Sequence, residues 1–365
     1  MNKRVNKVLE SLEADAIVIT HEDNVFYLSG FDGEGCLFIS PGKQVLITDS
    51  RYTVQAKREA PEFEIYEAKI SYIECIKDLA QEGEKVAFEA GTISFSDYEN
   101  LNSFGFDLIK TKGLVEKIRE IKDSEEIDLI CTATDILKEC AEMFETIQPG
   151  ITECELANLI EFNMKSYPFA KVGFDTIVAF GDNSACPHHK PTDRKLEDGM
   201  MVKIDYGVAY KHYNADVTRT VFVGEMTDKF KEIYDIVKDA KALAISEIKP
   251  GKTGKEIDKI ARDYISKFGY GDCFGHGLGH GIGVTVHDGG SLSPRSETIL
   301  QPGYVTSVEP GIYIEGWGGV RLEDDVLVTK QGALNLTQNI RQYDFSNKKE
   351  LLLKEKKERY FFRKH

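Results

Sequence analysis

Several things are scarce in this sequence, and each scarcity narrows what the chain does. Positive charge is in deficit: 46 Lys and Arg stand against 61 Asp and Glu, a formal net charge of -15. Phosphate backbones and anionic membranes are recognised by clustered Lys and Arg, so no nucleic acid and no membrane surface is expected as a partner. No run of 18 apolar residues occurs, which argues against a membrane span. The stretch Met1 to Glu10 starts basic but lacks the apolar segment of a secretory signal. Cysteine is sparse too: Cys36, Cys75, Cys131, Cys140, Cys154, Cys186 and Cys273 are odd in number, scattered, and never spaced C-x-x-C. That usage predicts reduced thiols in a cytoplasmic protein, most of them buried as small apolar residues.

What is present describes an ordinary globular chain. Its 365 residues are 41% hydrophobic and 29% charged, enough for ample core and more than one domain. Residues 1–120 read as an α/β domain. Ala16–Thr20, Cys36–Ser40, Gln44–Thr48 and Lys85–Glu89 have strand character. Pro41-Gly42 marks a hairpin turn between the second and third of these. Helices are expected near Tyr52–Ala60 and Ile70–Gln81, and none of these segments spells chemistry. Ser124, with Glu126, Ile127 and Ile130 after it, opens a charged helix into a second domain over 121–341. Within that domain Pro149-Gly150-Ile151-Thr152 and Pro250-Gly251-Lys252-Thr253 echo each other, each followed by an acidic amphipathic helix. The echo predicts a duplicated half-domain. The tail, 342–365, is basic, with eight Lys and Arg from Lys348 to Lys364 against three Glu. It reads as a solvated helix or frayed end.

The chemistry-bearing residues cluster in the second domain. Val202–Val208 and Ala215–Val223 look like paired strands, and a hairpin turning about Tyr210-Lys211 sets Asp205 opposite Asp216. Cross-strand Cβ atoms lie about 4.5–5.5 Å apart, so two carboxylates there repel unless a cation lies between them. Glu309 and Glu323 are symmetric about Gly316 in a Gly-Trp-Gly-Gly turn, which predicts a second facing pair. Gly275–Asp288 interleaves His276, His280 and His287 with alternate glycines. A helix does not tolerate that many glycines, at about 1 kcal/mol each. Extended backbone at a crowded place does, and it predicts one metal ligand and two free imidazoles. His287 falls on the other face from His276 and His280 unless the chain bends. A further loop, Phe180–Pro191, carries His188 between Pro187 and Pro191. Four carboxylates and one imidazole suit two hard or borderline divalent ions.

Together these segments resemble the pita-bread dinuclear metallopeptidases, the family of methionine aminopeptidase, aminopeptidase P, prolidase and creatinase. The likeness rests on Asn183-Ser184-Ala185 with Pro187-His188, Asp205-Tyr206-Gly207, Asp216-Val217-Thr218-Arg219-Thr220, the His/Gly run, Glu309-Pro310-Gly311-Ile312-Tyr313 and Val320-Arg321-Leu322-Glu323-Asp324. It implies a two-domain α/β fold, an N-terminal creatinase/prolidase-type domain before a pseudo-twofold pita-bread catalytic domain. It implies that Asp205, Asp216, His280, Glu309 and Glu323 hold two metal ions, with Asp216 and Glu323 bridging. His188, His287, Glu309 and Arg321 become the catalytic set and His276 a substrate-binding residue. Mn2+ is the expected metal, with Co2+ or Zn2+ able to replace it. A homodimer and proline-containing peptide substrates are implied as well.

The chemistry expected of such a site is attack by a metal-bridging hydroxide on an Xaa-Pro bond at a peptide's N-terminus. Glu309 serves as general base then acid, while His287 and His188 donate to the developing oxyanion. Prolidases of this group often show His-Glu-x-Pro-Arg, the Arg holding a dipeptide's carboxylate. Here His287 to Ser291 reads His-Asp-Gly-Gly-Ser. The departure favours an Xaa-Pro aminopeptidase over an Xaa-Pro dipeptidase. A catalytically inactive peptide-binding module is the further alternative, against which all five ligand positions are intact.

Overall fold

The computed structural model describes residues 2–340, so the basic tail at 342–365 lies outside the described residues. The chain forms two compact units, the first over Met1–Arg119 and the second beginning at Glu120.

In the first unit the helices are α1 (Lys3–Glu10), α2 (Glu22–Ser29), α3 (Thr53–Glu59), α4 (Phe95–Ser103) and α5 (Leu114–Arg119). The strands are β1 (Ala16–Ile19), β2 (Cys36–Ser40), β3 (Lys43–Thr48), β4 (Glu64–Glu67), β5 (Lys85–Glu89) and β6 (Asp107–Thr111). They make one mixed sheet in the order β4-β3-β2-β1-β5-β6. Pro41-Gly42 does turn a hairpin, closing on the Ser40–Lys43 pair. The helix expected over Ile70–Gln81 is shorter and tighter, a 3-10 turn over Ile73–Asp78. Only Ile73, Cys75 and Ile76 are buried there, too small a face to hold a full α-helix.

The second unit is built twice. Its helices are α6 (Ser124–Ala141), α7 (Glu153–Lys165), α8 (Asp228–Glu247) and α9 (Gly254–Lys267). Its strands are β7 (Ala170–Val172), β8 (Ile177–Phe180), β9 (Met201–Tyr210), β10 (Tyr213–Phe222), β11 (Gly279–His280), β12 (Ser291–Leu292), β13 (Val305–Val308), β14 (Gly311–Ile314), β15 (Gly318–Arg321), β16 (Asp324–Val328) and β17 (Ala333–Asn335). The Pro-Gly-x-Thr echo is a repeated device. Thr152 caps α7 in a capping box with Glu155, and Thr253 caps α9 in one with Glu256. Gly150 N donates to Leu196 O at 2.8 Å, and Gly251 N to Leu300 O at 2.9 Å. Each half has its own apolar core. One gathers Leu137, Ile160, Val178, Ile204 and Val217, the other Ile236, Ile257, Leu278, Val308 and Val326. α6 is capped by Asp123, one residue earlier than Ser124, with Glu126 completing its box.

The long hairpin of β9 and β10 corrects one expectation. Its two-residue turn is Lys211-His212, not Tyr210-Lys211, and both residues take left-handed backbone, φ 47° and 72°. That geometry matches the twist of the strands, but neither residue type announces it. Asp216 therefore lies opposite Gly207, and Asp205 opposite Thr218. The two aspartates are diagonal neighbours on one face, about 7–8 Å apart rather than directly opposed. The second hairpin keeps the predicted register. Gly311 faces Arg321, and Val308 faces Asp324, so Glu309 and Glu323 meet where the ladder is interrupted between β14–β15 and β13–β16.

All seven cysteines are free, but only Cys36, Cys75 and Cys140 are buried. The expectation that most are buried fails because Cys154, in the first turn of α7, and Cys186, in the loop that follows β8, are exposed, while Cys131 and Cys273 are half-buried. Among the described residues no helix is long and apolar enough to cross a membrane.

Candidate metal centre

The site lies where the two hairpins and the His/Gly stretch of the second unit meet. Asp205 projects from β9, Asp216 from β10, His280 from β11, Glu309 from just after β13 and Glu323 from just before β16. Backbone hydrogen bonds stitch these segments: Glu323 N donates to Thr218 O at 3.1 Å, and Glu309 N to Leu278 O at 2.7 Å. The alternate glycines permit the close approach. A Cβ on Gly279 would sit 2.0 Å from Ser307 O, and one on Gly281 2.1 Å from Asp288 O.

One ligand atom each from Asp216, His280 and Glu323 lies within 4.8 Å of the others. His280 Nε2 is 3.8 Å from Asp216 Oδ2 and 3.4 Å from Glu309 Oε1. His280 Nδ1 lies 3.1 Å from Gly281 O. A proton on Nδ1 is thereby satisfied, leaving the Nε2 lone pair aimed at the carboxylates. Asp205 Oδ1, Asp216 Oδ1 and Glu323 Oε1 are buried with no hydrogen-bond partner. Buried carboxylate oxygens do not stay unpaired without a reason. Burial, then the charge of Glu323 and of the other carboxylates, pushes Asp216 well above the carboxylate range. Burial and Glu309 do the same to Glu323. Burial drives Glu309 up to about 7 against the pull of Arg321. His280 falls to about 4 through burial and the neighbouring His287. Acids that resist ionising beside a base that resists protonation describe a donor set short of positive charge. Divalent cations supply it, so these residues fit a metal pair.

Arg321, 3% exposed, organises the edge of this set. It pairs with Asp205 Oδ2, donates from Nε to Thr218 Oγ1 at 2.9 Å, and from Nη1 to Tyr313 Oη at 3.2 Å and Pro187 O at 3.3 Å. Thr218 Oγ1 in turn donates to Glu323 Oε2 at 2.6 Å. His276 stands apart from His280: its Nε2 is 2.9 Å from Tyr313 Oη, its Nδ1 2.7 Å from Gly277 O. His287 returns to the site because the chain bends. Asp288 N donates to Gly281 O at 2.8 Å, and the His287 ring meets the His280 ring edge-on at 4.1 Å. His188 is exposed, on the 180–192 loop; burial, then Arg321, lowers His276 to about 4, and burial, with His188 nearby, lowers His287. Ser291, at the position where the prolidase-type His-Glu-x-Pro-Arg run would place Arg, pairs with His280 across β11 and β12.

Several residues around the centre carried no signal on their own. Lys203, Thr218, Ser307, Tyr313 and Asp325 all touch or face it. Period two would have found three: Lys203 and Thr218 share faces with Asp205 and Asp216, and Tyr313 lies four residues beyond Glu309. Asp325 Oδ2 accepts from Asp216 N at 2.8 Å, a link across two hairpins that no local pattern shows.

Known proteins are similar to this chain in both sequence and fold. Residues 128–330 match the model of metallopeptidase family M24, and residues 2–121 that of the creatinase/prolidase N-terminal domain. An uncharacterized peptidase of Bacillus subtilis is 42% identical over 92% of this chain and 97% of its own length. An Xaa-Pro dipeptidase of Pyrococcus furiosus is 38% identical over 94% and 99%. Among solved structures, an Xaa-Pro dipeptidase from Bacillus anthracis aligns with TM-score 0.89 at 38% identity, covering 94% of this chain and 98% of that one. An X-Pro aminopeptidase from Thermotoga maritima aligns at 0.85 and 39%, covering 94% and 99%. With the family model matched across the site-bearing unit and relatives aligned nearly end to end, the chain belongs to metallopeptidase family M24, as a pita-bread hydrolase behind a creatinase/prolidase N-terminal domain.

Proposed function

We propose that this chain is a metal-dependent exopeptidase that hydrolyses the Xaa-Pro bond at the N-terminus of peptides. The observation that carries the reading is the set of three orphaned, buried carboxylate oxygens around one ligand-ready imidazole. Asp205, Asp216, His280, Glu309 and Glu323 would hold two divalent cations, which supply Lewis acidity and an activated water at neutral pH. The oxygen-rich donors favour manganese. Glu309, 15% exposed at its side chain, holds a proton at a carboxylate oxygen and passes it to the departing proline nitrogen. His188 and His287, both exposed, donate to the carbonyl oxygen as it gains charge. His276, backed by Tyr313, lines the substrate side, and Arg321 holds Asp205 in place. A homodimer in a reducing cytosol completes the proposal, and the free thiols fit that compartment.

Substrate length divides two readings. Ser291 in place of a carboxylate-binding Arg favours peptides longer than two residues, since nothing at that position holds a dipeptide's terminus. The second reading, an Xaa-Pro dipeptidase, is favoured by the likeness to the Pyrococcus furiosus and Bacillus anthracis proteins of that description. Manganese-loaded protein given Ala-Pro and Ala-Pro-Ala separates them. Faster cleavage of Ala-Pro-Ala is expected; faster or equal cleavage of Ala-Pro transfers the proposal to the dipeptidase reading. Failure to cleave either peptide with manganese bound overturns both.

A further inference from the structure

The 180–192 loop is gripped by two buried charges that do not pair with each other. Glu153, 0% exposed, accepts at Oε1 from Phe180 N at 2.7 Å and Asn183 Nδ2 at 2.9 Å. At Oε2 it accepts from Thr192 N at 3.0 Å and Thr192 Oγ1 at 2.6 Å, and meets His189 Nε2 at 2.9 Å. Lys203, also 0% exposed, donates to Ser184 O at 3.0 Å, Cys186 O at 2.6 Å and Pro187 O at 3.3 Å. Three carbonyl acceptors engage all three hydrogens of an ammonium. Between these two clamps stands His188, exposed and hydrogen-bonded to no described residue.

Burying two charges in separate places is costly, and the duplicated half carries neither charge at the matching positions. Glu153 follows the capping Thr152; after the matching cap Thr253 stands Gly254. Lys203 precedes Asp205 by two residues; the matching position before Glu309 is Ser307. There the His276 stretch is held instead by an ion pair, Asp258 Oδ1 accepting from Leu278 N at 3.1 Å and Arg262 donating to Phe274 O at 2.8 Å and His276 O at 2.7 Å. Glu153 and Lys203, unpaired with each other, are thus particular to the half that presents His188.

We propose that Glu153 and Lys203 are positioning residues that fix the 180–192 loop so that His188 meets the substrate carbonyl, an inference that rests on the role given to His188 above. The test uses the full chain loaded with manganese, as Glu153→Gln and Lys203→Met, each alone and combined with His188→Ala. Either single change is expected to lower kcat/KM on Ala-Pro-Ala by about 30-fold, mainly in kcat, as hydrogen bonds to charge are lost from a positioned group. Manganese stoichiometry stays unchanged. Added to an impaired His188→Ala, each costs less than about twofold, because residues acting through one group are not additive. Amide exchange over 183–189 in the metal-free variants speeds by about tenfold or more, while β9 and β10 stay protected. Additive losses, or unchanged loop exchange, overturn the proposal alone. Full activity of His188→Ala overturns the role of His188 and this inference with it. If Lys203→Met does not fold, Asn183→Ala and Thr192→Val each remove one partner of Glu153, and must show the same non-additivity at smaller size.

Discussion

Glu309 and Glu323 occupy facing positions of one antiparallel register, yet neither gives its N–H to the other: Glu309 N goes to Leu278 O and Glu323 N to Thr218 O. The ladder opens where the two carboxylates meet, and each is tied to a different neighbouring segment. One is anchored to the His/Gly stretch, the other to β10. The two acids still repel, burial and the charge of Glu309 holding Glu323 well above the carboxylate range, and a divalent cation between them would relieve that repulsion.

Removing a donor from this set removes the charge balance that the whole site is built on. Asp216→Ala and Glu309→Ala are each expected to lower Xaa-Pro hydrolysis by at least about 1000-fold, within the range seen when a principal catalytic group is lost. Manganese content by elemental analysis should fall with Asp216→Ala. Full turnover in either variant would contradict the assignment of the centre.

Metal and proton compete for the same oxygens. Asp216, Glu323 and Glu309 have folded-state pKa values raised above their unfolded ones. Their contribution to the metal-free protein's stability is therefore complete below about pH 4 and is lost as pH rises, through about 7 for Glu309. Bound manganese reverses that loss by replacing the protons. The rise in Tm on adding manganese is expected to be larger at pH 8 than at pH 5.5. Asp216→Asn, which removes one of the repelling charges, should shrink that difference. Scanning calorimetry at the two pH values decides it, and equal shifts would count against a carboxylate-held metal.

Arg321 serves four acceptors on four segments, a task suited to a planar fork. Arg321→Lys keeps the charge but has three hydrogens on a shorter reach, so Asp205, Thr218, Tyr313 and Pro187 cannot all be satisfied. A loss of about 10- to 100-fold in kcat/KM is expected from one or two charged hydrogen bonds, with secondary structure by circular dichroism unchanged. Wild-type kinetics would show that the fork is dispensable.

The site was more legible in the sequence than the strands that carry it. Glu309 and Glu323 were placed by their symmetry about Gly316, because a tight Gly-rich turn leaves a single register. Asp205 and Asp216 fall on the predicted face but two residues out of the predicted register. Lys211 and His212 adopt left-handed backbone without the Asn or Gly that normally signals it. A shift by two residues preserves the face, so the cluster survived the error. Lys203 and Glu153 were missed for another reason. Their partners are mostly backbone carbonyls and N–H groups, which every residue has and no sequence pattern marks.

The alternate glycines of the His/Gly run make a paired prediction. At Gly281 a Cβ would lie 2.1 Å from Asp288 O, a backbone atom that cannot swing away. Asp288 N is bonded to Gly281 O, and the His287 ring packs on His280 through this bend. Gly281→Ala must therefore push the 284–288 turn outward and carry His287 with it. At Gly275 a Cβ meets nothing within 4 Å. Gly281→Ala is expected to cost about 100-fold in kcat through misplacement of His287, with some loss of stability from the forced shift. Gly275→Ala should leave kcat within about twofold and stability within about 0.5 kcal/mol. The comparison isolates close approach from glycine flexibility, since both variants lose the same backbone freedom. Equal effects in the two variants would mean that the run is glycine-rich for mobility, and that the packed bend behind His287 does not set its position.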